Sequence, residues 1–257
     1  MKGLFINYLV GENIMSGEIE NLRRDIRMRR KYDKMMSTAW LLIYLIPVIM
    51  ILIAIPAVFL APAIILLMPV LGIISFIVSI VLVYKLVDRR NSHFKRQIFL
   101  MEDTINSLRK IAEQKKVSVE TELSLCERTL REARTEETEK NAVLWAILSA
   151  IIFIATWYVY YFLMKDFYKH ERREDGFWED VSKIFGKLGV SFTPPRRMNP
   201  VPDRSFILYL ILSIITLGIF AIYWLYVLIK DPNEHFRYHS QIDEELLATV
   251  EKALAAS

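Results

Sequence analysis

Three of the four histidines in this chain obey one rule. The first case reads Tyr84-Lys-Leu-Val-Asp88-Arg-Arg-Asn-Ser-His93, the second Tyr161-Phe-Leu-Met-Lys165-Asp166-Phe-Tyr-Lys-His170, and the third Tyr226-Val-Leu-Ile-Lys230-Asp231-Pro-Asn-Glu-His235. In each, His follows Tyr by nine residues with an acid between them. The fourth, His239, stands four residues after His235, one helical turn away. Histidine titrates near neutral pH and is the commonest metal ligand, so three convergent cassettes would make a metal or proton site. The competing reading is a duplicated helix-exit cassette. There Tyr anchors an interface, Lys or Arg meets lipid headgroups, and Asp with Asn or Pro ends a span or caps the next helix.

The elements that carry these residues follow from charge. No charged residue occurs between Lys34 and Lys85, a run of 50 positions, and two further charge-free windows cover Asn141–Met164 and Ser205–Ile229. About 20 apolar residues cross a bilayer core, so the first window has length for two crossings and the others for one each. The expected fold is an all-α integral membrane protein with about four transmembrane helices, located in the cell membrane as a multi-pass chain. The single Cys126 excludes an intramolecular disulfide. No cleavable signal is expected, because a long polar or mixed stretch precedes the first apolar run.

Residues 1–37 form a basic amphipathic segment, in which Arg23, Arg24, Arg27 and Arg30 suit anionic lipid headgroups. Residues 38–87 read as a transmembrane hairpin turning at Pro62, with Pro47 and Pro56 kinking its first span. In residues 88–141, Ile98, Met101, Ile105, Leu108 and Ala112 and then Val119, Leu123, Cys126, Leu130 and Ala133 step by heptad spacings. They predict a cytoplasmic antiparallel coiled-coil hairpin projecting from the membrane. Residues 142–164 are span three, where Ala142, Ala146 and Ala150 form a small-residue stripe suited to packing against another span or protomer. Residues 165–204 read as a polar loop with a short amphipathic surface helix around Phe177–Phe185 and a Pro-rich linker. Residues 205–230 are span four, and 231–257 form a C-terminal amphipathic helix. Trp40, Tyr84, Trp145, Trp157, Tyr161, Trp224 and Tyr226 are expected at the lipid interface.

Lys and Arg outside the windows number 8 in the N-terminal segment, 13 in 85–141, 9 in 165–204 and 3 in the tail. With four crossings this favours cytoplasmic N and C termini, but it leaves a basic loop at 165–204 on the outside. It also sets His170 opposite His93 and His235, which favours the exit-cassette reading, so no metal ligand is assigned and no cofactor is implied. One alternative folds span four, with Gly218 near its middle, as a re-entrant hairpin, so that loop and tail share a side.

Phosphate-loop, dinucleotide, zinc-protease and Cys-x-x-Cys motifs are absent, and the windows hold no ionisable side chain of the kind that couples ions. An enzyme is not expected, nor is a nucleic-acid partner, because the formal net charge is only +4. The expected function is a non-enzymatic membrane scaffold or accessory subunit, partnered by lipids and by other membrane subunits or itself. The alternatives are an insertase- or chaperone-like factor with a client-binding coiled coil, and a passive channel or transporter made by oligomerisation.

The run Arg204-Ser-Phe-Ile-Leu-Tyr-Leu-Ile-Leu-Ser-Ile-Ile-Thr216-Leu-Gly218-Ile-Phe-Ala-Ile-Tyr223-Trp224 resembles a prokaryotic membrane family, domain of unknown function four-two-three-four, through its Thr-Leu-Gly-Ile-Phe and Tyr-Trp core. The resemblance covers the last window alone. It implies a prokaryotic membrane protein and brings no catalytic residues. The layout of three spans with a coiled coil after the first is also similar to that of membrane-protein insertases, although the charged groove residue of that superfamily is missing here.

Overall fold

A computed structural model describes residues 2–42, 45–46, 49–50, 52–53 and 68–256. Among them there is no β-strand. The helices are α1 (Lys2–Tyr32), α2 (Met68–Lys115), α3 (Glu120–Glu136), α4 (Ala142–Ile151), α5 (Phe153–Lys187), α6 (Phe206–Ile215) and α7 (Ile219–Ala255), with a 3-10 turn at Thr38–Leu41. The expected turn at Pro62 and kinks at Pro47 and Pro56 lie outside the described residues.

The three cassettes are not helix ends. Helices α2, α5 and α7, of 48, 35 and 37 residues, run straight through them from apolar into charged sequence. At 1.5 Å per residue α2 is about 72 Å long, more than twice a bilayer core. By length and composition it is the one described helix able to cross a membrane.

The windows expected to cross once are not single continuous helices. Helices α4 and α6 have ten residues each, about 15 Å of rise, and the chain then turns back. Ile152 alone breaks α4 from α5, in an extended conformation. The rings of Trp145 and Tyr158 then lie 5.1 Å apart, and Lys140 returns to 3.6 Å from Asp166. In the last window Leu217 (φ 50°) and Gly218 (φ 91°) make the turn between α6 and α7. The Thr216 hydroxyl donates to Leu212 and accepts from the Phe220 N–H, so Thr-Leu-Gly is the tip of a helical hairpin. Tyr209 then meets Trp224 edge-on at 5.4 Å between ring centroids, and Arg204 pairs with Asp231.

The two hairpins have the same foot, and the ends of the first window share it. A side-chain oxygen of Ser37, Asn141 or Ser205 caps the inward limb, by accepting from the N–H of Ala39, Leu144 or Leu208. A base just before that cap pairs with the cassette acid on the outward limb: Lys34 with Asp88, Lys140 with Asp166, Arg204 with Asp231. The acid thus closes the hairpin rather than ending a span. The alanine stripe lies within this fold, with Ala146 buried in the core that Leu82, Leu86, Tyr160 and Trp224 share.

Below the hairpins the long helices form a bundle. The heptad residues of α2 and α3 are buried in it, but not as a free-standing coiled coil. Leu108, Leu123, Cys126 and Leu130 share one core with Phe177, Trp178, Val181 and Phe185 of α5, Ile242 and Leu246 of α7, and Leu22 of α1. Ile98 packs against the same core, and Ile105 lies within it. The stretch 165–187 is therefore a core helix on the same side as 88–136 and the tail, not an opposite loop with a surface helix. Helix α1 stands in the bundle too. Arg23 pairs with Glu251, Arg24 with Asp103 and Arg27 with Glu20, so its basic face is met by the chain's own acids, while Arg30 is exposed. Trp224, expected at an interface, is fully buried, whereas Tyr84 and Tyr161 are exposed and Tyr226 is half-buried. Trp40, Trp145 and Trp157 pack partly buried against the hairpin core.

Candidate metal centre

Between hairpins and bundle lies a thin polar layer in which the cassettes meet. His93 comes from α2, His170 and Glu174 from α5, and His235 and His239 from α7. The two pairs on α5 and α7 are each spaced four residues apart, so both members face inward from one helical turn. All five side chains are buried, and their ligand atoms lie within 4.8 Å of one another. The separation of His170 from His93 and His235, expected from four crossings, does not occur, because the second hairpin returns its chain to the side it left.

All four imidazoles turn Nε2 to the centre. His93 Nε2 is 3.0 Å from His235 Nε2 and 3.2 Å from His170 Nε2, and His235 Nε2 is 3.2 Å from His239 Nε2. Glu174 Oε1 sits 3.1 Å from His170 Nε2 and 3.0 Å from His239 Nε2, yet it is a buried oxygen without a properly aimed hydrogen bond. Bonds of about 2.1 Å to one ion would place neighbouring ligands roughly 3 Å apart, the spacing found here.

The outer nitrogens fix the tautomers. Nδ1 of His93 is 2.8 Å from Asp33, that of His170 2.9 Å from Glu137, and that of His235 3.0 Å from Glu171. Nδ1 of His239 is 2.9 Å from the Gln97 amide, whose oxygen can take its proton after a half-turn. Each partner comes from a different place: Asp33 after α1, Gln97 on α2, Glu137 after α3, Glu171 on α5. Arg96 holds Asp33 with two nitrogens and Asp243 with a third, and Arg173 holds Glu137. Three carboxylates and the turned Gln97 amide on Nδ1 keep the proton there, and so leave a lone pair on each Nε2.

Four lone pairs and a carboxylate cannot face one another across 3 Å without positive charge between them. Either protons or a cation must supply it. In the metal-free chain protons do so unevenly. Burial pushes His93 well below its usual range, aided by the charges of His239 and His170. Burial likewise lowers His235. For His170 burial is outweighed by Glu137 and Glu174, which raise it to about 9. His239 is raised by Glu174 and Asp243 against the same burial. Glu174, which burial alone would raise, is held well below the carboxylate range by His239, His170 and His235.

Sequence spacing singles out the four histidines but misses Glu174, which stands four residues after His170 as His239 does after His235. It gives no hint of Asp33, Gln97, Glu137 or Glu171, since these arrive from other elements.

Residues 204–250 match the family model described as Domain of unknown function (DUF4234). The match runs from the foot of the last hairpin through His235 and His239. No curated protein and no solved structure matches the chain.

Proposed function

We propose that this chain is a membrane-inserted metalloprotein of architectural function. The three apolar windows dip into lipid from one side, and one transition-metal ion bound by His93, His170, Glu174, His235 and His239 ties the helices that leave them together at the membrane surface. The observation that carries this reading is the convergence of four Nε2 atoms on a buried glutamate, with every Nδ1 backed by its own partner. Imidazole-rich sets select zinc, iron, nickel or copper over calcium or magnesium, which prefer oxygen. The centre is closed on all sides, as structural metal sites are, whereas hydrolytic sites keep an open position.

Membrane insertion is supported by the faces the hairpins leave uncovered. Ile73, Ile77, Ile147, Ile154, Ile211, Ile214 and Leu217 are all exposed on limbs whose feet are sealed by ion pairs. A continuous apolar surface of this kind marks a membrane or a partner. Hairpins that return to their own side put all 33 Lys and Arg residues in one compartment. The positive-inside rule makes that the cytoplasm, and the overly basic external loop disappears. The bundle beneath then presents docking faces to other subunits, the scaffold role expected from the sequence.

The test is elemental analysis of protein purified in mild detergent without a histidine tag. About one equivalent of a transition metal per chain is expected, lost in a His93→Ala/His235→Ala variant. A wild-type chain that holds no metal and takes up neither Zn2+ nor Fe2+ would leave a buried proton-sharing cluster instead and end this reading.

A further inference from the structure

The metal centre is enclosed by helices and by the segments that join them. One of these is the segment 190–204, which joins α5 to the last hairpin and has no helical structure. Its prolines at 194, 195, 200 and 202 supply no N–H, and residues 191–204 make no backbone–backbone hydrogen bond among the described residues. Side chains hold it down. Phe192 is buried in the bundle core, and its carbonyl accepts from Ser182. Val201 is buried at the other end, and its N–H donates to Glu171.

Between those anchors one side chain reaches inward. Arg197 donates to Glu174 Oε2 at 3.1 Å and to Asp175 at 2.8 Å, lies 3.4 Å from Glu171, and stacks 3.7 Å over the ring of Tyr238. Its neighbours Arg196 and Met198 are exposed. Outside Arg197 is a solvent pocket of about 490 Å³, bounded by Trp178, Pro194, Pro195, Pro200 and Tyr238. The guanidinium therefore stands between solvent and a ligand of the centre, with Glu174 bonded to it through Oε2 and free to bind through Oε1.

We propose that Arg197 is the positioning residue of Glu174 and the latch of a door. While it is docked, Glu174 aims Oε1 at the four imidazoles. When segment 190–204 lifts, Arg197 leaves with it, and the ion can enter or depart through the pocket without unfolding a helix. Docking and metal occupancy must then strengthen each other, because linkage is reciprocal.

This rests on the metal-centre reading, and the experiment separates the two. Metal-loaded protein is mixed with excess chelator, release is timed, and hydrogen exchange is followed across 190–204. Arg197→Ala is expected to release metal at least ~10-fold faster, the lower end of what removal of a ligand's supporting partner does. Arg197→Lys falls between, since a point charge lacks the planar fork. Arg196→Ala, on the same segment, leaves release unchanged. In the wild type, metal slows exchange across 190–204, a readout that survives even if Arg197→Ala folds poorly. Equal release from Arg197→Ala and wild type, equal loss in Arg196→Ala, or exchange across the segment indifferent to metal overturns the latch. Absence of metal from the wild type overturns the centre itself.

Discussion

At the scale of single residues, Glu174 is the only anion among the five ligands, and its neighbours hold it ionised despite complete burial. Glu174→Gln keeps the shape and removes the charge. It is expected to weaken metal affinity at least ~10-fold in a chelator competition while the helical circular dichroism stays unchanged. Undiminished affinity would mean that the imidazoles suffice. A half-buried carboxylate gives a pH dependence away from the centre. Burial, with a hydrogen bond and repulsion from Asp25, raises Asp103 to about 7, although Arg24 offsets part of this. A carboxyl raised on folding contributes stability in full below its unfolded value, about 3.9, and loses it as pH climbs through its folded value. Stability should therefore fall between about pH 4 and 7 on account of this group. Asp103→Asn is expected to flatten that fall, unfolding at a higher temperature than the parent at pH 8 but not at pH 4.5. Parallel pH curves for the two proteins would remove Asp103 as the cause.

At the scale of elements, the hairpin tips decide the architecture and are the least legible part of the sequence. The heptad positions, the inward face of the tail and the edges of the charge-free windows can all be read, because periodicity and charge report burial directly. A turn inside an apolar run changes neither. Ile152 is one extended residue in a window of apolar neighbours, and it looks like any other position in a span. Gly218 carries slightly more signal, since φ of 91° is a conformation in which L side chains are strained. Reading both windows as crossings sets 165–204 opposite the tail and His170 out of reach of His93, and only the alternative with a turn at Gly218 anticipates one of the two bends. Gly218→Ala tests the tip. No atom lies within 4 Å of the added carbon, so the cost is the backbone alone, about 1–2 kcal/mol. Gly176→Ala, in open space on the exposed face of α5, is expected to stabilise by about 0.5–1 kcal/mol instead. Thermal unfolding in detergent reads both, and equal effects would remove the left-handed tip as the reason for the glycine.

At the scale of the whole molecule, the proposed insertion from one side predicts that all the charged parts of the chain share a single side of the membrane. The alternating arrangement puts 165–204 opposite the tail, so the two differ at a position that can be labelled. Met198 is 85% exposed on the Pro-rich segment, and Leu217 is 94% exposed at a hairpin tip. The native thiol does not interfere, because burial raises Cys126 to about 12 and shields it from reagent. In intact inside-out vesicles, with the cytoplasmic face outward, Met198→Cys and Ser240→Cys are both expected to react with a charged, impermeant maleimide. In right-side-out vesicles neither should react until the membrane is opened. Leu217→Cys should resist the reagent in both, since a tip reached by only ten residues of α6 ends inside a bilayer core about 30 Å thick. Reaction of Met198→Cys from the face opposite Ser240→Cys would restore the crossing. It would also separate His170 from His93 and His235, so this labelling experiment tests the metal centre without measuring metal.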